Sequence, residues 1–181
     1  MDDIIVFTKT IEEHRQVTHK VLEILKKNNL YVKPEKCEFE KEEVDYLGVI
    51  VSEDKVAVDP AKAKAVSDWP RPQKLIEVQE FVGFLNFYQR FIRDFSRIAR
   101  PLHDLTKKGV SFNWTDKCKG VFQMLKGAIC QAPILSMAHD QWRMWIEADA
   151  CQYTVGGVLL QEQDNLWKLI AFYSKSLDEV E

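Results

Sequence analysis

The sequence predicts an α+β protein on three observations. An apolar run and a helix-period segment open the chain, helical periodicity fills residues 75 to 132, and three strand-type segments joined by polar turns close it. Apolar Ile4, Ile5, Val6 and Phe7 behind Asp2 and Asp3 read as a first strand. Thr10-Ile11-Glu12-Glu13 reads as a capping box, and Val17, Val21, Ile24 and Leu25 then follow at helical spacing, so a helix is expected to about Lys27, ended by Asn28-Asn29. Leu30-Tyr31-Val32, Cys37-Glu38-Phe39 and the run from Tyr46 to Val51 read as short strands. Asp59-Pro60 starts a helix toward Trp69, because proline at a first helical position costs no hydrogen bond, and Pro70 and Pro72 break it. Three helices are expected beyond, with stops at Asp94-Phe95-Ser96 and at 109–113. Strands are expected at 144–148, 153–161 and 166–173, with Gln163-Asp164-Asn165 as the clearest turn.

The chain has 181 residues and 46% hydrophobic content, enough for one domain or two small ones with a core. Its net charge of -3 points to no partner, so any basic surface is local. Residues 71–108 carry that surface: eight Lys or Arg against four acids. Arg90, Arg93, Arg97 and Arg100 recur at steps of three and four, with Phe81, Phe84, Leu85, Tyr88, Phe91, Phe95 and Ile98 as an apolar stripe between and opposite them. A solvated helix face gives the same pattern, and an interruption at Asp94-Phe95-Ser96 would split the arginines between two elements. Phe81, Phe84, Phe87 and Tyr88 read as core rather than as platforms for bases. Cys37, Cys118, Cys130 and Cys151 are too scattered for a zinc knuckle or a secreted disulfide scaffold, which suits reduced thiols in the cytoplasm or nucleus. No apolar stretch reaches the roughly 20 residues of a membrane span, and the acidic start does not suit a signal peptide, so neither membrane nor secretion is expected.

The segment MDDIIVF resembles the Tyr-x-Asp-Asp segment of reverse transcriptases, in the form Y-x-D-D-I-x-x-F/Y-S of gypsy-type long-terminal-repeat retrotransposons. The match continues in order. Leu30-Tyr31-Val32-x-x-x-Lys36-Cys37-x-Phe39 is followed by Tyr46-Leu47-Gly48-x-Ile50-Val51-Ser52, which is similar to the family's primer-grip hairpin. Asp59-Pro60-x-Lys62 and Trp69-Pro70-x-Pro72 are similar to its entry into the thumb, and residues 80–92 to its F-L-G-L-x-N-Y-Y-R-x-F-I helix. Residues 145–151 with 155–161 resemble the start of retrotransposon ribonuclease H, T-D-A-S-x-x-x-x-G-A-V-L-x-Q, with Cys151 at the usual serine.

The resemblance implies the end of a polymerase palm over 1–58, a helical thumb or connection over 59–135 and the first strands of a ribonuclease H-like domain over 136–181. It implies Mg2+ as the metal of the parent enzyme, because hard cations take oxygen ligands and two of them clamp an in-line displacement. Asp2, Asp3 and Asp149 would be the catalytic, metal-holding carboxylates; Tyr46, Leu47, Gly48, Arg90, Arg93 and Arg97 would meet nucleic acid. The implied partners are an RNA/DNA template-primer duplex and the remaining parts of the Pol polyprotein. Other carboxylates of both family sites fall outside this sequence, so the chain alone is expected to be catalytically incomplete, with weak metal binding or none. A binding module without chemistry, or a host-retained interaction protein, are the rival expectations.

Overall fold

The computed structural model describes residues 3–177, which divide into two compact units at 53/54. Three of the sequence's predictions meet in the first unit. Helix α1 (Ile11–Lys27) begins where the capping box places it, with the Glu13 N–H donating to Thr10 Oγ1 at 3.2 Å, and Asn28 closes it before Asn29 turns left-handed. Residues 4–7, 30–32 and 37–39 are not strands. A strand needs a ladder partner, and none lies beside these segments among the described residues; Pro34 instead opens a 3-10 turn (Pro34–Lys36).

The run from Tyr46 to Val51 is not one strand but the turn of a hairpin. Strands β1 (Glu43–Tyr46) and β2 (Val49–Ser52) pair antiparallel with Tyr46 opposite Val49. Leu47 and Gly48 between them both have positive φ, 53° and 84°, which is the requirement of the two-residue turn whose twist matches its strands. No described apolar side chain of this unit is buried. Its longest-range polar contact is the fork between Arg15 and Glu40, at 2.7 and 3.0 Å. That pairing raises the arginine's pKa and lowers the carboxylate's, chiefly through the hydrogen bond, but it is solvent-exposed and adds little stability.

The second unit holds the core. Strand β3 (Lys55–Val58) leads into α2 (Pro60–Ser67), capped by Asp59, whose carboxylate accepts the Ala61 N–H at 2.8 Å. Helix α3 (Leu75–Phe87), a 3-10 turn (Gln89–Phe91), α4 (Phe95–Leu105) and α5 (Asp116–Cys130) follow. The chain then returns as β4 (Leu135–Ser136), antiparallel to β3. Neither β3 nor β4 is visible as a period-2 pattern, since four and two residues are too few to display one. Val78, Phe81, Leu85, Phe95, Leu102 and Phe122 form the centre of the helical layer. Lys126 donates to the Trp69 carbonyl at 2.8 Å and so ties α5 to the Pro-rich segment, while the Trp69 ring packs edge-on against Phe81.

The last three strands are a meander: β5 (Met144–Cys151), β6 (Thr154–Gln163) and β7 (Leu166–Ser176). Asp164 and Asn165 have positive φ at the β6–β7 turn, a backbone region that Asn and Asp tolerate better than most residues. A pair of buried amides fastens the sheet to the segment before it. Fully buried Gln161 accepts the His139 N–H at 2.9 Å and donates to the His139 carbonyl at 2.7 Å, while Gln163 donates to the Met137 carbonyl and to Gln161 Oε1. The Gln161 side chain thus pairs with His139 as a neighbouring strand's backbone would. None of the described helices is long and apolar enough to cross a membrane.

Replacing Gln161 with leucine removes the partner of the His139 N–H and carbonyl and takes an acceptor from the buried Gln163 amide. Because an unsatisfied buried polar group costs about 1–3 kcal/mol, Gln161→Leu is expected to lower thermal and urea midpoints by an amount in or above that range. A melting curve superimposable on the parent's would show that the amide pair does not hold the segment.

Candidate nucleic-acid interface

The carboxylates come first because chemistry would need them. Asp2 lies outside the described residues. Asp3 is exposed on irregular chain, and residues 4–7 behind it form no strand to fix its position. Asp149 lies near the end of β5, opposite Gly156 of β6, and is exposed. Among the described residues no group of three or more His, Cys, Asp or Glu side chains converges as a metal site would require. Mg2+ is held by carboxylates together with water and substrate oxygens, and a two-metal centre needs several carboxylates at once. The described residues therefore do not by themselves fit an Mg2+ pair.

Of the three hairpin positions, Tyr46 is half-buried at the end of β1, while Leu47 and Gly48 are the turn itself. Leu47 presents its side chain to solvent from a left-handed backbone that a leucine adopts at a cost.

The arginines do not share one helix face. Tyr88 ends α3, the 3-10 turn carries Arg90, and α4 starts only after Asp94. Arg90 lies 5.9 Å from the Phe91 ring, and Arg93 is exposed, without an ion-pair partner among the described residues. Arg97 is committed to Asp94, Nη2 to Oδ2 at 2.6 Å, and Arg100 lies over the Tyr153 ring at 4.0 Å. Two of the four are therefore spent on contacts within the fold.

A bare helix face stands where the sequence pattern suggested core. Phe81 and Tyr88 are buried and Phe84 is half-buried, but Phe87 is 51% exposed. Gln79, Gly83 and Phe87 are spaced i, i+4 and i+8 along α3 and all three are exposed, so they form one outward stripe, with Ile76 before it and Arg90 beyond it. Gly83 is the informative member. Glycine in a helix interior costs about 1 kcal/mol relative to alanine, and a Cβ here would meet nothing within 4 Å. No packing within the chain requires it, whereas a backbone approaching from outside would. The spacing of Gln79, Gly83 and Phe87 was available in the sequence; reading Phe87 as core together with Phe81, Phe84 and Tyr88 hid it.

The chain matches two family models: reverse transcriptase (RNA-dependent DNA polymerase) over residues 1–51, and the RNase H-like domain found in reverse transcriptase over residues 114–181. Helix α3 lies between the two matches. Across its whole length the chain is 32% identical to the retrovirus-related Pol polyprotein from transposon opus and 33% identical to that from transposon 297, both of Drosophila melanogaster. It is 29% identical to the transposon Tf2-3 polyprotein of Schizosaccharomyces pombe. It spans 19%, 17% and 14% of the lengths of these relatives. Among solved structures it resembles the foamy viral protease-reverse transcriptase in complex with RNA/DNA hybrid, at TM-score 0.77 and 24% identity, over 96% of this chain and 24% of that one. The same viral protein in complex with double-stranded DNA matches at TM-score 0.76 over 97% of this chain and 31% of that one. At such identity these likenesses speak for the fold alone. In sequence and in order of elements, the chain corresponds to the reverse transcriptase and RNase H-like region of transposon Pol polyproteins.

Proposed function

We propose that this chain is the duplex-tracking part of a gypsy-type retrotransposon polymerase, and that α3 lays Gln79, Gly83 and Phe87 along the minor groove of a template-primer duplex. The observation that carries this reading is the bare stripe on α3, where an amide, a glycine and a half-exposed ring share one outward face; an empty surrounding alone would not single Gly83 out, since Gly120 and Gly127 of α5 share it. An amide can reach acceptors on base edges, a glycine admits sugar or backbone at close range, and an exposed ring covers a sugar or a base. An RNA/DNA hybrid suits such a face, since A-form helices present a wide and shallow minor groove. Arg90 and Arg93 supply charge to neighbouring phosphates, while Tyr46, Leu47 and Gly48 meet the primer from the β1–β2 hairpin. That the foamy viral neighbour is in complex with RNA/DNA hybrid supports the choice of ligand.

In this reading residues 1–58 are the end of the palm, 59–135 the thumb and connection, and 136–181 the start of an RNase H-like domain. Asp2 and Asp3 belong to one Mg2+ centre and Asp149 to another. Each centre is completed by carboxylates on other segments of a Pol polyprotein, so the chain alone binds duplex without extending or cutting it.

Binding of a labelled RNA/DNA hybrid should weaken steeply with added salt as phosphate contacts release counterions. Phe87→Ala should weaken it by roughly tenfold, in line with the 1–3 kcal/mol of a stacked ring. Gly83→Ala separates the roles, being expected to raise the melting temperature, by up to about 1 kcal/mol of helix propensity, while weakening hybrid binding. Equal hybrid affinity of parent, Phe87→Ala and Gly83→Ala would refute the α3 assignment. With Mg2+, deoxynucleotides and a primed template the chain alone should incorporate nothing, and extension would overturn its catalytic dependence on other segments. Asp149→Asn should shift stability by no more than about 0.5 kcal/mol, as expected of an exposed side chain with no structural partner.

A further inference from the structure

Two of the arginines, with the N-terminus of α4, form a seam against the β5–β7 sheet. Asp94, at the N-cap of α4, has a left-handed φ of 57° and makes no side-chain bond to the helix's first N–H groups. Its carboxylate takes Arg97 instead, and Asp94 Oδ1 lies 3.0 Å from where a Cβ on Gly156 would stand, so a side chain there would crowd it. The first turn is capped from another element. The Ser96 N–H donates to Ser174 Oγ and Ser96 Oγ donates to the Ser174 carbonyl, each at 3.0 Å, with both residues buried. One turn further, Arg100 lies over Tyr153. Gly156 and Ser174 stand in one cross-strand row with Asp149, in the register Asp149↔Gly156↔Ser174.

We propose that this seam is a strut, and that Ser174 and Tyr153 are positioning residues which hold α4, and with it the α3 face packed against α4, at a fixed distance and angle from the strand carrying Asp149. The proposal rests on the reading of α3 as the duplex-facing helix. A single contact between a helix and a sheet leaves the helix free to pivot. Here the reciprocal serine pair anchors the first turn to β7, the Asp94 carboxylate seats on β6, and the arginine–tyrosine stack, a turn away, opposes rotation about that anchor. Fixed this way, a duplex lying along α3 meets the Asp149 strand in one register. Arg97 and Arg100 thus also hold the seam, and Arg97, whose side chain is 65% exposed, still presents its charge to solvent.

The test places spin labels at Glu80→Cys and Leu166→Cys, both exposed, in a chain whose Cys37, Cys130 and Cys151 are serine, and measures the distance distribution between them. The parent should give one narrow distribution. Tyr153→Ala and Ser174→Ala should widen it about twofold while keeping the folded circular dichroism spectrum, and Tyr153→Phe, which keeps the ring under Arg100, should restore the parent width. If Tyr153→Ala and Ser174→Ala both stay as narrow as the parent, packing of the core holds the helix and the strut is refuted. A cleaving iron chelate tethered at Leu166→Cys then reads the register on a bound RNA/DNA hybrid. One cut cluster in the parent that spreads over neighbouring nucleotides in Tyr153→Ala supports the positioning role, and an unchanged cluster in a variant that binds overturns it. Failure of every form to bind hybrid refutes the α3 reading instead, and the distance measurement still decides the strut.

Discussion

The packing of Phe81 against Phe122, ring centroids 4.5 Å apart, is the contact on which the functional surface depends. With Val78, Val82 and Leu85 it gives α3 a single buried side, against α5 and the Trp69 segment. A helix with one side committed has its opposite side determined, because successive residues turn by about 100°. Gln79, Gly83 and Phe87 are outward for that reason and for no local one. Apolar burial at the core thus decides which polar and aromatic groups of α3 face outward, and Lys126, bound to the Trp69 carbonyl, ties α5 to the Pro-rich segment beside that packing.

Metal-dependent phosphoryl chemistry makes a contrasting demand. A face can be built on one helix, whereas a centre for two cations needs carboxylates converging from several segments. Asp3 on irregular chain and Asp149 on β5 are each exposed and stand in no three-membered cluster among the described residues. The first unit, without a buried apolar side chain, has nothing to hold an acid to the tolerance such chemistry asks. The second unit has the rigidity but, around Asp149, not the ligands.

The arginine series illustrates how a sequence pattern is divided by a fold. Spacing at three and four residues places side chains on one face only while the helix continues, and here it stops between Tyr88 and Asp94. Arg90 and Arg93 remain at the surface, while Arg97 and Arg100 are taken by Asp94 and Tyr153. A guanidinium engaged with a carboxylate or stacked on a ring presents less of its charge and fewer of its donors to a phosphate.

Local signals were sufficient for the elements whose causes are local. Thr10 and Asp59 announce helices because each supplies its own cap, and the positive-φ turn at Asp164-Asn165 is legible because Asn and Asp tolerate that backbone. The meander that follows Met144 is likewise written in period-2 apolar residues and polar turns. The motifs around Asp2-Asp3 and Asp149 were legible for another reason, as a collinear likeness to reverse transcriptases. Tertiary structure alone decided the rest. Residues 4–7 have strand composition without a strand, because a ladder needs a partner that composition does not supply. Phe87 reads as core beside Phe81, Phe84 and Tyr88 yet faces solvent, because the rotation of α3 is set by Phe81 packing on Phe122 from a distant helix. Ser174, far from Ser96 in sequence, caps a helix that its own neighbours leave uncapped. In each case the determining contact joins residues widely separated along the chain, and periodicity within a short window carries no record of them.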